Sequence, residues 1–103
     1  MQKPIQQTEQ MSKTTSMNAQ LTARPNPFIN SLTVEINSPT DQHGIVRLID
    51  GTGKIVKMIS WNLKRGLNIT TLNNLKGLAD GLYFLDVVDA EGNILHKTKL
   101  VKE

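Results

Sequence analysis

Cysteine is absent from the 103 residues, which excludes disulfides, thiolate nucleophiles and cysteine-ligated zinc, and leaves the redox compartment open. Aromatic side chains are scarce: one Trp, one Tyr and two Phe. Binding single-stranded nucleic acid needs several stacking rings beside a basic groove. Neither is present, because the 12 Lys and Arg are dispersed among 9 Asp and Glu for a net charge of only +3. Nucleic acid is therefore not an expected partner. No apolar run approaches the roughly 20 residues that cross a bilayer, so no transmembrane segment is expected. The start, Met1-Gln2-Lys3-Pro4-Ile5-Gln6-Gln7, lacks the apolar stretch of an export signal. If the parent protein is exported, that signal is expected outside this sequence. The two histidines, His43 in a turn and His96 on a strand, have neither a serine in a nucleophile elbow nor a cysteine to work with. They read as solvated surface residues, and no enzyme and no cofactor are expected.

What is present divides the chain in two. Residues 1 to 22 are rich in Gln, Thr, Ser, Lys and Asn, and bury too little apolar surface to offset their ordering entropy. They read as a flexible polar linker or the ragged end of an excised piece, with Met1, Met11 and Met17 at no helical spacing. At Ala23-Arg24-Pro25-Asn26-Pro27-Phe28 the composition changes. Proline fixes its φ near about −65°, lacks an N–H and pushes the preceding residue toward an extended conformation. Pro25 and Pro27 therefore read as a stiff hinge at the start of a domain spanning 23 to 103, holding the linker clear of it. Phe28 is the first large apolar side chain able to anchor a core.

Beyond Phe28 the hydrophobic period is two. Leu32, Val34 and Ile36 alternate with Thr33 and Glu35, as in a half-buried strand. Asn37 to Gly44 reads as a turn, and Ile45 to Ile49 as a central strand, apolar on nearly both faces. Asp50-Gly51-Thr52-Gly53 closes a hairpin into Lys54 to Ile59, where Gly53 supplies the positive φ such turns demand. It lacks the spacing and the following helix of a phosphate loop. Leu67 to Leu72 follows the break at Lys64-Arg65-Gly66, and the leucines at 72, 75 and 78 suit a short helical turn or a loop tucked under the sheet. Leu82 to Val88 and Ile94 to Val101 form the last hairpin. In it, Tyr83, Leu85 and Val87 share one face. Asp86 shares the other with Leu82, so that face is expected to reach solvent. Six strands without a long amphipathic helix predict an all-β, antiparallel, immunoglobulin-like β-sandwich, with a seventh strand from the linker side or from residues 38 to 43. Leu78, Gly81 and Tyr83 echo the tyrosine corner of such sandwiches, the alternative being that Tyr83 is a core aromatic with a wet hydroxyl. Asp86, Asp89 and Glu91 gather around the last hairpin, yet miss the spacing of a known calcium loop, so turn chemistry is the better reading.

Taken in order, Pro25-Asn26-Pro27-Phe28, Ile49-Asp50-Gly51-Thr52-Gly53-Lys54-Ile55-Val56, Gly66-Leu67-Asn68, Leu78-Ala79-Asp80-Gly81-Leu82-Tyr83 and Lys97-Thr98-Lys99-Leu100-Val101 resemble the type A C-terminal sorting domain of the type IX secretion system of Bacteroidota. The resemblance covers about residues 23 to 103. Arg24 departs from it, since an aromatic residue is common there. The resemblance implies a secretion label attached behind a cargo domain. Such a protein crosses the periplasm, is handled by an outer-membrane translocon, and is then cut upstream of the label by a surface sortase, leaving the cargo at the cell surface or secreted. The linker would supply the accessible tether that a protease needs. Lys97, Lys99 and Lys102, with Leu100 and Val101, are expected on an edge strand whose lysines resist stray pairing and offer a charged face to a partner. The alternative is a carbohydrate-binding or fibronectin-like accessory sandwich. Trp61 alone could stack on a sugar, and it reads instead as capping the core after the third strand.

Overall fold

The computed structural model describes residues 21 to 103. Seven strands follow in order: β1 (Leu21–Arg24), β2 (Leu32–Ser38), β3 (Gln42–Asp50), β4 (Ile55–Leu63), β5 (Gly66–Leu72), β6 (Gly81–Asp89) and β7 (Ile94–Lys102). They form two antiparallel sheets, one of order β1-β2-β5 and one of order β4-β3-β6-β7. The fold is the expected all-β sandwich, and among the described residues there is no helix. The alternating residues of β2 put Leu32, Val34 and Ile36 into the core. Val46 and Leu48 of β3, Tyr83, Leu85 and Val87 of β6 and Leu100 of β7 meet them from the other sheet. Burying these apolar side chains is the main favourable contribution to folding, at roughly 1.5–3 kcal/mol each.

The seventh strand comes from the linker side. β1 begins at Leu21, so Leu21 and Thr22, which composition assigned to the linker, pair with Ile36 and Glu35. The hinge reading of Pro25 and Pro27 changes with it. Both lie inside the folded body, between β1 and β2, and the peptide bonds preceding them are cis. The tether reading of residues 1 to 20 lies outside the described residues. Arg24 stands on the outer face, where its Nη2 donates to Glu35 Oε2 at 2.9 Å and holds that carboxyl below the usual range. An aromatic side chain would have no core to fill there.

β3 and β4 both run longer than the sequence indicates. Gln42, His43 and Gly44 are strand residues opposite Leu63, Asn62 and Trp61. Trp61 is half-buried within β4 and packs on the core from the sandwich edge. Segment 73 to 80 is a loop rather than a helical turn. Leu75 is buried at the end of the sandwich, and the Leu75 and Lys76 N–H groups donate to the Asn30 carbonyl and side-chain oxygens at 2.9 and 3.1 Å. At the β4–β5 corner, buried Asn68 accepts from Lys64 N–H at 2.8 Å and donates to the Lys64 and Gly66 carbonyls at 2.8 and 2.9 Å.

The outer face of the four-stranded sheet reaches solvent as expected, at Leu82, Lys97 and Lys99, but not at Asp86. This carboxylate does not reach solvent: it is 1% exposed, covered by Arg47, whose Nε and Nη2 donate to Oδ1 and Oδ2 at 2.8 and 2.7 Å. Arg47 and Asp86 are direct cross-strand partners of β3 and β6, so the fork joins two adjacent strands. Sequence alternation sets the face of Asp86 but not which residue on the next strand covers it.

Candidate functional site

The residues nominated from sequence fall into three groups. The largest is a corner where the end of β7 meets the segment before β2. Phe28 N–H donates to Val101 O at 2.9 Å, and Glu103 N–H donates back to Phe28 O at 2.9 Å. Asn26 Oδ1 accepts Val101 N–H at 3.0 Å, and Phe28 bridges Lys102 in the parallel sense. Pro25 and Pro27 flank Asn26 and leave its side chain, not a ladder of amides, to close the last exposed backbone groups of β7. The Phe28 ring is fully buried and meets Tyr83 edge-on, with centroids 5.7 Å apart at 68°. That is a favourable arrangement for two quadrupoles.

Tyr83 then ties the corner to the loop before β6. Its hydroxyl donates to the Ala79 carbonyl at 2.5 Å, forming the tyrosine corner. Burial, with Asp50 and Asp80 nearby, raises its pKa. Gly81 opens β6 opposite Lys102 at a φ of 137°, which side-chain-bearing residues rarely adopt; the space around it is open, so backbone conformation alone selects glycine. Leu100 is buried opposite Tyr83. Lys102 corrects the expectation of an exposed lysine. Its side chain is 3% exposed, with Nζ 3.7 Å from Asp80 Oδ1 and donating to Glu103 O at 3.4 Å. Strand parity explains this, because Lys102 shares the inward face with Leu100.

The second group is the outward face of β7. Lys97 and Lys99 stand exposed, with Lys97 Nζ 5.0 Å from the centre of the Phe84 ring, and Val101 continues the row opposite Leu82. β7 is an edge strand. Its final residues are nevertheless closed by Asn26 and Phe28, so only the part around Lys97 and Lys99 has a free edge.

The third group is the hairpin at Gly53, which has a counterpart that sequence reading passed over. In Asp50-Gly51-Thr52-Gly53-Lys54, Asp50 Oδ1 accepts the Thr52 and Lys54 N–H groups at 2.9 and 3.0 Å. In Asp89-Ala90-Glu91-Gly92-Asn93, Asp89 Oδ1 accepts the Glu91 and Asn93 N–H groups at 3.0 and 2.8 Å. Gly53 and Gly92 hold φ of 93° and 86°. The shared spacing of Asp, Gly three residues on and one further residue was the available signal. In the acidic cluster, Asp89 is held by its own turn and Asp86 by Arg47. Among the described residues no group of three His, Asp or Glu side chains is placed to hold a metal ion.

Both hairpin carboxyls lie below the usual carboxylate range, Asp50 first through the Thr52 hydroxyl and Asp89 first through the Asn93 N–H. A pKa lowered by folding gives stability that is present above the unfolded value and lost as pH falls through the folded one. Thermal melts between about pH 6 and about pH 2 should therefore show a declining midpoint, and a smaller decline in the Asp50→Asn, Asp89→Asn double variant. Identical profiles would contradict this. The effect is modest because both loops are exposed and solvent screens them.

His43 is exposed, with Nδ1 2.8 Å from Asn62 Oδ1, but lies in β3 rather than a turn. His96 differs from its expected solvated state. It is half-buried opposite Val87, and burial lowers its pKa. Trp61 is half-buried and packs on the core, as expected from its position after the third strand.

No curated protein matches the sequence. Among solved structures, an endonuclease/exonuclease/phosphatase from Beutenbergia cavernae shares 18% identity at a TM-score of 0.41, over 81% of this chain and 22% of that one, a likeness too slight to bear on function. The family model described as "Secretion system C-terminal sorting domain" matches residues 23–103, from the end of β1 through the closed corner. The chain belongs to that family, and its sandwich is the C-terminal sorting signal of type IX secretion, a label for export to the cell surface or beyond and not a catalytic domain.

Proposed function

We propose that the sandwich is recognised as a folded unit in the periplasm, that an outer-membrane translocon carries it and its cargo outward, and that a surface sortase then cuts the chain before Leu21. One observation carries the folded-unit reading: the last residues of β7 are hydrogen-bonded to Asn26 and Phe28, which stand at the opposite end of the domain sequence. The β7 end therefore has its shape only once the whole domain is assembled. A receptor that reads this end distinguishes a finished label from an unfolded chain.

The contact surface in this reading is the outward row of Lys97, Lys99 and Val101 beside the corner of Pro25, Asn26, Pro27, Phe28, Gly81, Tyr83, Leu100 and Lys102. The inward residues hold the shape, Gly53 keeps the neighbouring hairpin, and the two lysines supply a charged contact. Lys97→Glu with Lys99→Glu tests the division. Both side chains are exposed. Because Lys97 stands opposite Asp86 and over the Phe84 ring, the double variant should melt a few degrees lower yet remain folded, while export of a fused reporter falls at least tenfold, about 1.4 kcal/mol in apparent affinity. Unchanged export would leave the lysines only the role of protecting the edge.

A further inference from the structure

We propose that the free edge of β5 is a strand-addition site for an extended peptide whose alternating apolar and β-branched centre is flanked by acidic residues. The sheet order places β5 at an edge, and among the described residues no strand pairs with its far side. Edge strands present unpaired backbone groups and are normally blunted by short length, lysine, proline or an inward charge. The other three edges show such devices. β1 has 4 residues. β4 carries Lys57 opposite Leu48, on the core-facing side. β7 carries Lys97 and Lys99, and its end is closed by Asn26 and Phe28. β5 has 7 residues, Gly-Leu-Asn-Ile-Thr-Thr-Leu, with no charge and no proline.

The edge strand is also fully paired along its inner side and apolar on its outer face. All seven residues are paired in register with β2, and the Asn68 side chain fastens the start of the strand. Leu67 and Ile69 point outward and are 61% and 55% exposed. An added strand would continue the ladder and cover both, with alternate side chains giving specificity. A prearranged edge lowers the ordering cost of that addition.

Charge selects the occupant. Exposed Lys64 and Arg65 precede β5 and exposed Lys76 follows it. Asp41, which accepts Arg65 N–H at 2.9 Å, is the opposing charge at the first end. Glu35, beside Ile69, is held by Arg24. The two ends thus remain net basic, which favours acidic flanks on a partner. A second copy pairing antiparallel would bring Lys64 and Arg65 of one chain toward Lys76 of the other, an unfavourable arrangement. The site rests on the sorting reading only for its purpose, as a second foothold for the export machinery far from β7 in sequence.

The test titrates the isotope-labelled 103-residue chain with a synthetic peptide of alternating valine and threonine that carries two aspartates at each end. Amide shifts should centre on Gly66 to Leu72. The Leu67→Ser, Ile69→Ser double variant, changed only at exposed positions and without altering charge, should stay folded and bind at least tenfold more weakly. A lysine-flanked peptide should show the same loss. Absence of binding, shifts centred elsewhere, equal binding by the variant, or concentration-dependent dimers formed through β5 would each overturn the proposal. A parent chain that exports its reporter while failing to bind the peptide overturns the β5 site alone. A parent domain that fails to export overturns the sorting reading instead.

Discussion

Phe28→Ala is expected to lower the melting midpoint by roughly 15 °C or more, the largest loss for any single truncation in the domain. Phe28 is fully buried, and its ring is the only partner that the Tyr83 ring meets edge-on among the described residues. Removing a buried phenyl costs about 3–5 kcal/mol in lost transfer energy and cavity. A domain of this size has only about 4–12 kcal/mol of net stability to lose. The backbone bonds of residue 28 to Val101 and Glu103 remain possible in the variant, so the closure weakens with the packing that orients it. Circular dichroism melts of parent and variant measure the shift. A loss of less than about 5 °C would mean that the corner tolerates an empty Phe28 site, against the expected cavity cost.

Arg47→Ala should be nearly as damaging, through electrostatics rather than volume. The guanidinium covers a carboxylate that is 1% exposed, and no other cation forms an ion pair with Asp86 among the described residues. Removing one member of such a pair leaves an uncompensated buried charge at a cost of about 3–5 kcal/mol, with the lower figure apt here because Arg47 is itself partly open to water. The double replacement Arg47→Met with Asp86→Leu should recover most of the loss, since well-packed apolar residues commonly substitute for a buried pair. Denaturant unfolding of the single and double variants completes the comparison. A double variant no more stable than Arg47→Ala would show that the pair contributes more than mutual neutralisation. A silent Arg47→Ala would show that water reaches Asp86.

Much of the architecture was legible because the strands have clean alternation. Leu32, Val34 and Ile36 carried a period of two, and the doubly apolar run at Ile45 to Ile49 marked a central strand; both observations follow from burial of one face or two. Legibility failed where a residue's fate depended on a distant partner. Leu21 and Thr22 look like linker and become strand because β2 offers them an edge. Pro25 and Pro27 punctuate the chain as expected, yet nothing local says that Asn26 between them will reach Val101, 75 positions away. Lys102 reads as an exposed terminal lysine until its parity with Leu100 turns it inward. Gly81 and Tyr83 were legible because the backbone and hydroxyl requirements of that corner are local.

The central claim is that this chain, through its folded sandwich, labels a cargo for type IX export. The most direct measurement fuses a reporter, itself preceded by an inner-membrane export signal, to the 103-residue chain in a bacterium with an intact type IX system. Reporter is then measured in the periplasm, at the cell surface and in the medium. The account predicts surface or medium reporter with the parent chain. It predicts periplasmic reporter when Leu100 to Glu103 are deleted, because that removes a core leucine and the strand end that Asn26 and Phe28 close. Normal export of the truncated fusion, or of the parent fusion in cells lacking the translocon, would contradict it.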